Sequence, residues 1–336
     1  MFSEIIGQEN VTAHLQNALR TGNISHAYLI HGGKGSGKKM LAKTFAQTML
    51  CRDVRMTEAG PEPCGVCPSC IKALSDSHPD IRTVTHEKPA SIGVEEIRVL
   101  RQDVQVLPYE SARKVYLIPE AEKLTAQAQN ALLKTLEEPP SYAVLILLAD
   151  DTAAFLPTVL SRSILLRTRP LEAGQVLEYL REKRPDLAER YLPLYASLSG
   201  GNIGRAIALA DSETFTGFCG KLLRILQNVP GTDIHTFLSF LREEDTDTDA
   251  MLDILQIWYR DTAVYKRTGD ADALIFREEI QYISQCAAAL SYAGLERIFA
   301  AILRAIQQLK ANGNTELILE MLFVGIREQY KNRAGH

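Results

Sequence analysis

The sequence predicts an α/β chain, with a mostly parallel, doubly wound sheet in its first half and helices alone in its second. Three observations carry this. Apolar runs at Ala27–Ile30, Val115–Ile118 and Val144–Ala149 have strand length and the near-continuous apolar character of strands covered on both faces. Helical patterns separate them, as the crossovers of a parallel sheet require. From Leu171 onward the periodicity is helical throughout.

Residues 8–20 read as an amphipathic helix with Val11, Leu15 and Leu19 on its apolar face, broken at Gly22 and Asn23. The strand at Ala27–Ile30 then runs into GGKGSGKK. Glycines let successive backbone N–H groups curl around an anion, and a helix starting at Lys38 adds its positive end. Gly32, Gly37 and Lys38 fit G-x-x-x-x-G-K-[ST], with Gly35 inside the loop. Position 39 departs from it, because Lys39 stands where a Ser or Thr hydroxyl would hold Mg²⁺. The loop is therefore built for phosphate and short of a magnesium ligand. Its helix continues through Leu41, Phe45 and Leu50 and ends near Cys51.

Four of the six cysteines, Cys51, Cys64, Cys67 and Cys70, follow C-x12-C-x2-C-x2-C, while Cys219 and Cys286 stand alone. A C-x-x-C turn sets two thiolates about a metal's width apart, and four thiolates suit a closed, structural zinc site. Grouped free thiols and an iron–sulfur cluster, which also uses C-x2-C-x2-C, are the other readings of this spacing.

An extended stretch from His78 to Thr85 precedes a helix over Ser91–Leu107, set by Ile97, Leu100, Val104 and Leu107. The strand Val115–Ile118 ends at Pro119-Glu120. In a phosphate-loop ATPase this strand ends in Asp-Glu, the Asp serving Mg²⁺ and the Glu the attacking water. Pro119 has no ligand atom, so the magnesium site is degenerate on both sides. Glu120 keeps the place of the water-polarising carboxylate, or is an ordinary acid at a strand end. Gln127–Glu138 is a helix stopped by Pro139-Pro140, and Asp150-Asp151 follows the third strand where a residue sensing the γ-phosphate is often placed. A further apolar stretch lies at Ile164–Leu166. In the second half, helices are expected near 250–267, 274–292, 295–311 and 315–331, with a loop at 228–234 and a solvated acidic run at Glu243–Asp249. Asn312-Gly313 should stop one helix and Asn314 or Thr315 cap the next.

The bulk properties narrow the classes. A chain of 336 residues allows two or three domains, and its net charge of −4 argues against a stand-alone nucleic-acid binder. No uncharged apolar run reaches the ~18 residues of a membrane span and no signal sequence opens the chain, so a cytoplasmic protein is expected.

The motifs taken together carry a resemblance. Ser25-His26-Ala27-Tyr28-Leu29, GGKGSGKK, the cysteine cluster, NALLKTLEEPP (Asn130–Pro140), LPTVLSR (Leu156–Arg162) and GGNIGRA (Gly200–Ala206) resemble the bacterial clamp-loader family. The likeness is dense over 1–210 and thinner beyond, where Asn314–Leu322 carries it. It implies an AAA+ P-loop NTPase-like domain at 1–168 holding the cysteine module (51–70), a helical lid at 169–210 and an all-helical collar at 211–336. It implies assembly with gamma/tau-type and delta subunits, a sliding clamp and primer–template DNA. The family's Ser-Arg-Cys motif falls on Ser161-Arg162-Ser163. Arg162 would then be an arginine finger reaching a neighbour's ATP, an effect worth about 10³–10⁵ in rate. Without the resemblance, Arg162 reads as a surface ion-pairing residue. Arg205 falls on the lid arginine that touches the subunit's own γ-phosphate. Asn130 and Lys134 become inner-surface residues near DNA, although Lys134 also suits an i, i+4 pair with Glu138.

With Lys39 and Pro119 replacing both magnesium ligands, hydrolysis by this chain is expected to be weak or absent, while ATP or ADP binding stays open. The resulting expectation is a clamp-loader stator. Its rival is an active gamma/tau-like ATPase working through Lys38 and Glu120. A zinc enzyme is disfavoured, since four thiolates leave no open coordination position.

Overall fold

In a computed structural model the protein is described over residues 1–84, 90–243 and 247–331. Thr85, residues 244–246 of the acidic run and the chain after 331 lie outside the described residues. The chain divides into two compact units, Met1–Leu171 and Glu172–His336.

The first unit is built on a five-stranded parallel sheet in the order β4-β5-β6-β1-β7. The strands are β1 (Ala27–His31), β4 (Ile81–Thr83), β5 (Lys114–Ile118), β6 (Ala143–Ala149) and β7 (Ile164–Arg167), and a separate hairpin pairs β2 (Arg55–Met56) with β3 (Pro61–Glu62). The three expected strands are the middle three, and the stretches at 78–85 and 164–166 supply the edges. Side chains alternate between faces along a strand. Leu145, Leu147, Leu29 and Tyr116 thus pack on one side with α4 (Val94–Val104) and α5 (Ala126–Glu137). Ile146, Leu148, Ile30 and Leu117 pack on the other with α1 (Glu9–Thr21) and α2 (Lys38–Leu50). Both faces are covered, which makes the sheet doubly wound.

Two elements differ from the sequence expectation for identifiable reasons. The helix expected over 91–107 begins only at Val94, because Ile92 is drawn into a parallel bridge with Leu124, its N–H donating to the Lys123 carbonyl at 2.9 Å. Its end is held by the buried Lys114 ammonium, which donates to the carbonyls of Asp103 and Val106 and pairs with the Asp103 carboxylate at 2.9 Å. The cysteine segment also contains α3 (Pro68–Leu74), with Cys67 at the N-cap and Pro68 in the first turn, a start the sequence reading did not identify. The short α6 (Pro157–Leu160) leads into β7.

A buried carboxylate fastens the sheet edge. Asp80 accepts the N–H groups of Tyr109, Glu110 and Ser111 at 2.5, 2.9 and 2.9 Å. Burial alone would raise its pKa, but these three donors hold it below the usual carboxylate value.

The second unit is all helical: α7 (Ala173–Lys183), α8 (Leu192–Leu198), α9 (Ile203–Asp211), α10 (Glu213–Gln227), α11 (Ile234–Glu243), α12 (Thr248–Thr268), α13 (Ile280–Ala289), α14 (Tyr292–Lys310) and α15 (Thr315–Lys331). Asn202, Ser212, Asp247 and Ser291 each accept an N–H from the first turn of the helix they cap. Asn312 takes a positive φ where α14 stops, and the Asn314 side chain caps α15 through the Leu317 N–H. The helix expected at 274–292 starts late. The fully buried Asp261 accepts the N–H groups of Ile275 and Phe276, both at 2.8 Å, and keeps those residues out of a helix. Among the described residues no single helix is long and apolar enough to cross a membrane, although the bent pair Arg277–Ala289 and Tyr292–Lys310 would qualify by length and composition.

Candidate functional site

The glycine loop sits at the carboxyl end of β1, between that strand and α2. Gly32, Gly35 and Gly37 all take positive φ, at 147°, 75° and 85°. Gly32 is the most constrained. A Cβ there would come within 2.3 Å of the Thr168 hydroxyl and 2.6 Å of its carbonyl oxygen. Thr168 lies directly after β7; its N–H donates to the His31 carbonyl at 2.7 Å, and its hydroxyl lies 2.6 Å from the Ser36 hydroxyl. The loop is therefore braced by the neighbouring strand. Burial, with the charges of Arg167 and Lys38 nearby, pushes the His31 imidazole below its ordinary pKa despite Asp151.

Lys38 is folded back into this loop. Its ammonium donates to the Gly32 and Gly33 carbonyls at 2.6 and 3.0 Å and pairs with the Asp150 carboxylate at 2.7 Å. The Lys38 side chain is only 11% exposed while that of Asp150 is 47% exposed, so the pair meets water on its carboxylate side. Asp150 follows β6, where the sequence suggests a sensor residue. Its carboxylate meets the loop lysine, a partnership with no signal in the sequence. Lys39 is exposed. Pro119 and Glu120 follow β5, and Glu120, at φ 50°, pairs with Lys123 at 3.0 Å. Arg205 lies in the second unit, where its backbone N–H donates to the Asn202 cap at 3.0 Å and its side chain borders a cavity of about 260 Å³ with Asp247, Phe215 and Phe218.

Arg162 lies at the opposite end of the strands. β1 and β7 are parallel with Tyr28 beside Ile164, which sets Arg162 level with His26. Six residues separate His26 from Gly32, about 20 Å at the rise of a strand. Arg162 accordingly does not meet the loop of its own chain. It pairs with Glu137, the last residue of α5, at 3.0 Å, and donates to the Thr158 carbonyl at 3.2 Å. These residues line a groove of about 530 Å³ with His26, Leu136, Ser161, Ser163 and Ile164. Asn130 and Lys134 are exposed, and Lys134 forms no ion pair with Glu138 among the described residues.

The four clustered cysteines converge, with their sulfurs all within 4.8 Å of one another. One tetrahedral zinc with Zn–S near 2.3 Å sets its sulfurs about 3.8 Å apart, and Cys64 and Cys70 are 3.9 Å apart. Sulfurs this close leave room for one ion among them and not for two. Backbone N–H groups of Cys64, Cys67 and Cys70 point at the sulfurs of Cys51, Cys64 and Cys67 at 3.3, 3.3 and 3.4 Å, as they do toward thiolates. Burial raises the Cys51 and Cys70 thiols, whereas at Cys67 it is outweighed by backbone donors from Arg52 and Cys70, which draw that thiol down to about 6. The cluster can thus hold a metal ion. His78 and Glu110 join it to the sheet: Ser69, next to Cys70, meets the buried His78 at 3.0 Å, and Lys72 of α3 pairs with Glu110 at 2.8 Å.

Two family models match the chain, "DNA polymerase III, delta subunit" over residues 7–172 and "DNA polymerase III, delta subunit, C terminal" over 217–328. Among curated relatives, the DNA polymerase III delta-prime subunit of Bacillus subtilis is 29% identical over 328 residues, covering 96% of each chain. The tau subunit of the same organism is 26% identical, covering 97% of this chain and 61% of its own. Escherichia coli tau is 34% identical over 64% of this chain, which spans 33% of that protein. A gamma subunit-related protein of Thermotoga maritima aligns in structure at 18% identity and a TM-score of 0.39, covering 94% of this chain and 99% of that one. Both halves match in order and a delta-prime relative aligns over nearly its whole length, so the chain belongs to the DNA polymerase III delta/delta-prime family, within the AAA+ clamp-loader clade.

Proposed function

We propose that the chain is a delta-prime-type stator of a bacterial clamp loader, helping partner subunits place a sliding clamp on primer–template DNA without hydrolysing ATP itself. The observation that carries this is the separation of its two phosphate-directed groups. The loop has Lys39 and Pro119 where magnesium ligands belong and its lysine is engaged by Asp150. Arg162 lies about 20 Å away along the strands, at a surface groove where only another chain's nucleotide could meet it. In this reading Arg162 is the trans-acting finger, Glu120 is an inactive remnant, and Gly32, Gly35, Gly37, Lys38 and Lys39 form a site able to bind ATP or ADP without turning it over, while Arg205 keeps the motif position of the family's lid arginine. The domains are an AAA+ domain (1–168), a lid (169–210) and a collar (211–336). Zinc held by Cys51, Cys64, Cys67 and Cys70 is structural. Gamma/tau-type and delta subunits are the partners, in the cytoplasm.

The test is steady-state ATP hydrolysis by the chain alone and in assembly with a gamma/tau-type subunit. The chain alone should show no turnover above background. In the assembly, Arg162→Ala should lower kcat by about 10³ or more. Turnover by the chain alone, abolished by Lys38→Ala, would make it a motor and overturn the stator reading.

A further inference from the structure

We propose that Glu137 is a positioning residue for the Arg162 finger; this rests on the stator reading and extends it to a residue with no assigned role. The Glu137 carboxylate lies 3.0 Å from one terminal guanidinium nitrogen of Arg162, while the other donates to the Thr158 carbonyl at 3.2 Å and lies 3.4 Å from the Ser161 hydroxyl. Acceptors from two elements, α5 and the short α6 with its C-cap, therefore grip the two ends of the guanidinium fork. An exposed arginine samples many rotamers, and a fork already fixed loses little further freedom when it meets a phosphate.

The place of Glu137 argues that it is not there for the helix. It is the last residue of α5, where the helix dipole disfavours an acid, and Glu138 follows it at the cap with Lys134 the only basic residue of the last turn. A carboxylate at a locally unfavourable place, paired across 25 residues of sequence with a single arginine, suits a role at a surface rather than within its own helix. The pair lies in a groove of mixed polar and apolar side chains. His26 lines it, and the His26 Nε2 is withdrawn from water with no hydrogen-bond partner among the described residues. An exposed Ser161, a half-buried Ser163 and an arginine held in place form a surface that a polyanion from another chain could complete.

The experiment uses the full chain assembled with a gamma/tau-type ATPase, at concentrations where light scattering shows complete assembly, and compares Arg162→Ala, Glu137→Gln, Glu137→Asp and the double variant R162A/E137Q. Melting of each isolated variant by circular dichroism checks that the fold is intact. Glu137→Gln should lower kcat about tenfold with KM within about twofold, because geometry rather than binding is lost. Glu137→Asp should recover part of the rate, and R162A/E137Q should be no slower than R162A, because Glu137 acts only through Arg162. If R162A leaves the rate unchanged, the stator reading fails first. If R162A slows the assembly while E137Q runs at or above the wild-type rate, or if the double variant is slower than R162A, the finger stands and the role of Glu137 is refuted.

Discussion

Single residues decide the shape of the loop, and Gly32 decides most. Its φ of 147° and the 2.3 Å approach of a hypothetical Cβ to the Thr168 hydroxyl close that position to any side chain. Gly37 also has a positive φ but nothing within 4 Å. Gly37→Ala should therefore cost only the left-handed backbone penalty, about 1–2 kcal/mol. Gly32→Ala should cost about 3 kcal/mol or more, since the clash is added to the strain. Urea denaturation of the two variants measures the difference, and equal losses would mean that Thr168 moves aside freely. Gly32 was legible from its place in the motif. Thr168 was not, because its contact depends on the β1–β7 pairing across more than a hundred residues. Lys39 and Pro119 were legible as departures from a pattern. The ion pair between Glu137 and Arg162 was not legible, because it joins two elements 25 residues apart.

At the scale of elements, the sequence was most informative where one period ran long. The middle strands and the two long closing helices were readable because nothing interrupts their apolar pattern. Starts moved wherever a distant group captured the backbone, as Leu124 does to Ile92 and Asp261 to Ile275 and Phe276. The cysteine knuckle is the element least supported by packing of its own. β2 is exposed, α3 is seven residues long, and Ile71 and Leu74 are turned to solvent. Metal binding in so small a module contributes folding free energy directly. Chelation should then expose the backbone of residues 51–74 to hydrogen exchange while β1, β5 and β6 stay protected, and Cys64→Ser should do the same. Protection unchanged after the metal is stripped would mean that the Lys72–Glu110 and Ser69–His78 contacts suffice without it.

At the scale of the molecule, the first unit owns a complete core on both faces of its sheet. A fragment spanning 1–171 should fold alone and melt in one cooperative transition by circular dichroism; a broad, featureless melt would show that its stability depends on the rest of the chain. The α/β class, the helical second half and the family were all legible in the order of motifs, since order survives where single positions drift. The setting of the loop lysine was not. With Asp150 as a standing counter-ion beside the loop, any anion capture at Lys38 would be a substitution: the arriving group must displace a carboxylate already in residence. Each 1.4 kcal/mol by which that resident pair outcompetes its separated state weakens the observed affinity about tenfold. If the glycine frame captures an anion at Lys38, it does so as an ion exchanger, the Asp150 carboxylate giving way to the newcomer.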